Sequence, residues 1–84
     1  PSVDVLFRSA AEAFGPRTLG VVMTGMGDDG KEGAMHIKAS GGAVFTEAEE
    51  SCVVYGMPRS VVEAKLSDLV VPLDEMARTI INFA

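Results

Sequence analysis

The stretch Gly25-Met26-Gly27-Asp28-Asp29-Gly30 sets two adjacent carboxylates in a glycine-rich loop. Read literally, it matches the G-x-G-x-x-G fingerprint of dinucleotide sites, with Glu47 about 20 residues on at the end of the next apolar run. That fingerprint works by aiming bare backbone N–H groups and a positive helix end at a pyrophosphate. Here Asp28 and Asp29 occupy the same place, and like charges at a few ångströms decide against a phosphate ligand. Three roles stay open for the pair. An aspartate at a helix start caps it. A hard cation is a second role, although two neighbouring carboxylates without clustered ligands are weak support. The third is the acid of a catalytic triad, which fixes the tautomer of a histidine. The only histidine, His36, lies seven residues past Asp29 and points one to two helical turns away, as a solvated or half-buried helix residue. Any triad therefore takes its histidine and its nucleophile from elsewhere. Ser2, Ser9, Ser40, Ser51, Ser60 and Ser67 read as caps or surface residues, none in a strand-to-helix nucleophile elbow. Cys52 reads as a buried small apolar residue, Tyr55 and Met57 as packing residues, and Glu47, Glu49 and Glu50 as a solvated loop face.

The elements that must position this loop follow from hydrophobic spacing. Val3, Leu6, Phe7, Ala10 and Phe14 line one face of a first helix, with Ser2 as its cap, Asp4 at its positive end and Gly15-Pro16 as its stop. Leu19 to Met23 is a continuous apolar run, as in a strand covered on both faces of a parallel sheet. A weaker helix spans Lys31 to Ala39. Ala43 to Thr46 reads as a second strand, Ser51 as the cap of a short turn, and Pro58 as the first position of a helix to about Ala64. Leu69 to Val71 makes a third strand. Asp74 caps a last helix that buries Met76, Ile80 and Phe83. Such alternation specifies an α/β fold with a mostly parallel sheet and helices on its faces. Ligand crevices of these sheets open at the carboxyl ends of the strands, where the aspartate loop falls. Three strands are few, and the first calls for neighbours on both edges, so part of the sheet is expected to lie outside this chain.

Composition sets the outer bounds. The 84 residues carry a formal charge of −5, twelve acidic against seven basic, with no basic cluster and no tryptophan. This argues against a nucleic-acid surface and against an anionic-membrane anchor. The apolar runs of four or five residues fall far short of the roughly 20 needed for a spanning helix. One cysteine and one histidine supply neither an internal disulfide nor a four-ligand metal site, and they fit a reducing cytoplasm. No cofactor and no metal is expected.

Three segments together resemble the C-terminal half of the catalytic domain of the chemotaxis protein-glutamate methylesterase (CheB) family. They are Pro1-Ser2-Val3-Asp4-Val5-Leu6-Phe7, Met23-Thr24-Gly25-Met26-Gly27-Asp28-Asp29-Gly30, and Glu49-Glu50-Ser51-Cys52-Val53-Val54-Tyr55-Gly56-Met57-Pro58-Arg59, in family order and at family spacing. The resemblance implies a portion of a doubly wound, Rossmann-like α/β domain over residues 1–84. The Ser/His-bearing half and the receiver domain of the family are absent from it. It also implies a serine hydrolase that demethylates γ-glutamyl methyl esters, and deamidates certain glutamines, on the cytoplasmic domains of chemoreceptors. Asp29 falls on the triad aspartate, Asp28 on a variable position, and Met26 on the residue whose backbone N–H helps hold the oxyanion. Expected partners are methylated chemoreceptors and the missing half of the catalytic domain, with no nucleic acid and no membrane insertion. By itself the chain is expected to be inactive. A non-catalytic interaction module descended from the esterase is the alternative.

Overall fold

A computed structural model describes residues 3–25 and 29–83. The chain runs through α1 (Val3–Phe14), a 3₁₀ turn (Gly15–Arg17), β1 (Leu19–Val22), α2 (Lys31–Ala39) and β2 (Ala43–Glu47). A second 3₁₀ turn (Glu49–Ser51), α3 (Gly56–Glu63), β3 (Leu69–Val71) and α4 (Leu73–Phe83) complete it. Among the described residues the sheet has three strands, ordered β1-β2-β3 and all parallel. Leu19 pairs with Ala43 and Val22 with Thr46, while Phe45 pairs with Leu69 and Glu47 with Val71. This register brings the carboxyl ends of the strands to one edge of the molecule.

Strand alternation divides the core between the two faces of the sheet. Val22, Val44, Ala34, Ile37, Val61 and Ala11 form one buried cluster beneath α1, α2 and α3, with Phe7, Met57 and Leu66 packed against it. Phe45, Val71 and Met76 form the other, under α4, with Leu19, Val21 and Ile80 at its margin. The Phe83 ring meets Phe45 edge-on, centroids 5.2 Å apart, but it is exposed and not buried as the sequence predicts, because it stands in the last turn of α4 with one edge alone on the sheet. Burying a side chain such as Ile37 or Val61 contributes about 1.5–3 kcal/mol, so the three-helix face supplies most of the apolar stabilisation.

The α/β alternation expected from the sequence is present, with several local differences. In α1 the packed residues are Phe7 and Ala11, whereas Leu6 and Phe14 are exposed. The reason is Gly33 on α2. A Cβ there would stand 2.5 Å from the Phe7 Cβ and 3.0 Å from the Asp4 Cα, so its absence lets α1 settle on its Asp4–Phe7 side. Within β1, Gly20 and Val22 are buried while Leu19 and Val21 are half-buried at the margin of the second cluster. Strand β2 continues one residue further than expected, through Glu47, and α3 begins at Gly56, two residues before Pro58. Asp74 stands inside the first turn of α4. The cap assigned to Ser2 lies outside the described residues.

Candidate functional site

Loop geometry at the carboxyl edge begins with Thr24 and Gly25, directly after β1. The Gly25 N–H donates to Val54 O (2.8 Å), and the Met57 N–H donates to Gly25 O (2.9 Å), forming an isolated parallel bridge with the turn before α3. The Val54 N–H donates to the Thr24 hydroxyl, which donates back to Val54 O. The aspartate loop thus leaves the sheet fastened to the segment that carries Cys52 and Tyr55. Met26, with its expected oxyanion role, and Asp28 both lie outside the described residues.

Asp29 lies on the far side of that loop, against the start of α1. Its Oδ2 accepts the Val3 N–H (3.0 Å) and its Oδ1 the Asp4 N–H (3.2 Å). Asp4 answers in kind, since its Oδ1 accepts the N–H groups of Gly30 (2.9 Å) and Gly33 (2.7 Å) at the start of α2. Each carboxylate therefore satisfies orphan donors of the other's helix. Gly30 completes the arrangement in the left-handed region, at φ +103°, where a side chain would be strained. The Val3 amide lowers the Asp29 pKa, partial burial raises it, and the Asp4 and Gly30 amides and the Asp4 side chain pull it down further, for a net shift below the ordinary aspartate value. Asp29 is an ionised acceptor at neutral pH. Two carboxylate oxygens offer about four acceptor directions, so two helix amides do not exhaust them.

The residues that the sequence reads as non-catalytic stand apart from Asp29. His36 is exposed on α2, and no hydrogen bond among the described residues joins it to Asp29. Cys52 is half-buried, and its thiol donates to Glu47 O at 3.8 Å. Burial, followed by the nearby Glu47 charge, raises its pKa, so the thiol stays protonated and is a poor nucleophile. Tyr55 is also pushed up, chiefly by burial, and lies under the Arg59 guanidinium, 5.4 Å from its ring centroid. Among the described residues no group of three or more His, Cys, Asp or Glu side chains is placed to hold a metal ion. A groove of about 380 Å³ beside the clasp is lined by Asp4, Lys31, Glu32 and Met35, whose mixed charges single out no ligand class.

Glu47 is the residue that sequence reasoning missed. Glu49 and Glu50 are exposed as expected of a solvated loop, but Glu47 is only 1% exposed. Its Oε1 accepts the Thr24 N–H (2.9 Å) and its Oε2 accepts the Ser51 hydroxyl (2.9 Å). Ser51 is a junction and not a cap for the turn after it, since its Oγ also accepts the Leu73 N–H at 3.0 Å. A signal was available: Val44-Phe45-Thr46 is a run with no exposed alternate, and the next residue of a strand covered on both faces is buried too.

Known proteins resemble this chain over nearly its whole length. A family model described as CheB methylesterase matches residues 1–80. A protein named protein-glutamate methylesterase/protein-glutamine glutaminase from Desulfitobacterium hafniense (strain Y51) is 59% identical over 98% of this chain and 21% of its own length. A second protein of that name from Methanosarcina acetivorans is 57% identical over 98% of this chain and 23% of its own. The crystal structure of the Thermotoga maritima CheB methylesterase catalytic domain superposes with a TM-score of 0.98 at 42% identity, covering 100% of this chain and 44% of that one. The chain thus spans less than a quarter of these curated relatives.

Proposed function

The chain belongs to the CheB methylesterase family, and from that membership we propose that it is the aspartate-bearing part of a serine hydrolase acting on γ-glutamyl methyl esters, and on certain glutamines, of chemoreceptor cytoplasmic domains. The observation that carries the reading is the hold on Asp29: an ionised carboxylate at the ligand edge of a parallel sheet, fixed by the Val3 and Asp4 amides. In this reading Asp29 accepts an imidazole N–H from a histidine in the remainder of the domain. That histidine takes the proton of a serine hydroxyl as its oxygen attacks the ester carbonyl, then returns a proton to the departing methanol. Water opens the acyl-enzyme by the same route. The Met26 amide, which belongs to the same loop by sequence, is assigned to the oxyanion from the family resemblance. The remaining strands of the domain continue the sheet beyond β1, and the rest of the domain supplies the serine and histidine; the protein works in the cytoplasm. No helix among the described residues is long and apolar enough to cross a membrane.

One observation favours a second reading. Among the described residues, the hydrogen bonds that Asp29 accepts come from amides at a helix start, the arrangement that a non-catalytic module derived from the esterase would need. Asp29→Asn in the full-length gene product separates the two. Loss of a triad aspartate costs about 10⁴ in turnover, read as methanol release from a methylated receptor fragment. Activity that survives the substitution removes Asp29 from the chemistry.

A further inference from the structure

A buried carboxylate that no catalytic step uses sits at the same edge of the sheet as Asp29. Glu47 ends β2 and joins the carboxyl ends of all three strands: β1 through the Thr24 amide, and β3 through Ser51 and the Leu73 amide. The Thr24 connection matters most. Thr24 and Gly25 are the residues from which the aspartate loop departs, and Thr24 is held on one side by Glu47 and on the other by Val54. Burying a carboxylate is costly unless its hydrogen bonds are made, and here each oxygen has a donor. We propose that Glu47 is a positioning residue of the candidate active site, fixing through the Thr24 amide the point at which the Asp29 loop leaves the sheet.

The inference rests on the triad reading above, and hydrogen-bond geometry makes it testable in the full-length gene product. In Glu47→Gln, Oε1 still accepts the Thr24 N–H, and Nε2 donates to the Ser51 Oγ, whose hydroxyl turns to Ala48 O, now 3.2 Å away. Turnover of a methylated receptor fragment should stay within about threefold of the parent, since no reacting group moves. Glu47→Ala frees the Thr24 amide, and kcat should fall about 10- to 100-fold with KM within about threefold, the effect of an ångström-scale displacement near the chemistry. Hydrogen exchange at the Thr24 amide should speed up in the alanine variant and not in the glutamine variant. Should the alanine variant not fold, Glu47→Asp takes its place, because it keeps the charge but is one methylene too short to span both donors. Unchanged kcat in a folded alanine or aspartate variant overturns the proposal. So does a loss confined to KM, or a glutamine variant of parental Tm that loses kcat more than tenfold, since charge and not position would then be acting. Asp29→Asn measured alongside keeps the two ideas apart: activity retained there defeats the triad reading, while Glu47 is still judged by alanine against glutamine. In a protein without esterase activity, exchange at Thr24 alone decides.

Discussion

At the scale of single residues, the exchange of carboxylates between Asp29 and Asp4 couples the candidate chemistry to stability. Asp29 has a folded pKa below its unfolded value, so its contribution is complete above the unfolded value and is lost as pH falls through the folded one. Below about pH 4 the clasp between the starts of α1 and α2 should therefore loosen, since an unperturbed aspartate titrates near there. Thermal melts of the full-length gene product between pH 2 and 6 should show a steeper acid limb for the parent than for Asp29→Asn. Asp4 acts on the other side of the clasp, and its replacement by alanine leaves the Gly30 and Gly33 amides without their acceptor. The loss of such a cap costs about 0.5–2 kcal/mol, to be read as a lower denaturant midpoint at unchanged slope. Asp68 has the same sign for another reason: burial raises its pKa, but the Lys38 ammonium at 2.6 Å and the Val44 amide outweigh it.

Between elements, the clasp works only if α1 lies close on α2, and Gly33 is what permits that approach. An alanine there would force its Cβ to within 2.5 Å of Phe7 and 3.0 Å of the Asp4 backbone. Because backbone cannot yield as a flexible side chain does, Gly33→Ala should destabilise by about 1–3 kcal/mol. It should also weaken the hold on Asp29, so esterase turnover should fall further than that of a control of equal stability loss, such as a trimmed Met76 in the cluster on the other face of the sheet. Removing the Met76 side chain costs about 2–5 kcal/mol. These contacts also show what was legible beforehand. The spacing of Met76, Ile80 and Phe83 identified the side of α4 that faces the sheet, although only Met76 is buried there and Phe83 stays exposed at the helix end; the limits of α1 and α2 followed from apolar period and breakers. The rotation of α1 was not legible, because the reason for it is a missing side chain on another helix, 26 residues on from Phe7. Glu47 was misread for a related reason: its charge suggests solvent and outweighed the continuous run before it, and the pairing of β2 between two strands shows that the position is enclosed. That Asp29 faces the α1 terminus could not be read from its own loop, since the donors lie 25 and 26 residues away.

For the whole molecule, the question is what these 84 residues can do without the rest of a family domain. They match 44% of the Thermotoga maritima catalytic domain, and they present Leu6, Phe14, Leu69, Val70 and Ile81 as exposed apolar side chains on three elements. Exposed apolar area on that scale invites association in a chain so small. Within this chain Asp29 meets helix amides, and the exposed His36 makes no hydrogen bond to it. A triad aspartate has no nucleophile of its own to activate, because its part is to orient an imidazole. The isolated 84-residue chain should therefore release no methanol from a methylated receptor fragment above the buffer rate, and it should sediment as a concentration-dependent mixture. Adding the complementary segment of the same gene product in trans should narrow that distribution to one species and restore turnover, with Asp29→Asn restoring the assembly but not the activity. Those two readouts divide the work of the aspartate. Assembly without activity assigns it to the chemistry, whereas failure of both assigns it to the clasp between α1 and α2, and turnover by the chain alone would mean that a nucleophile within these residues had gone unrecognised.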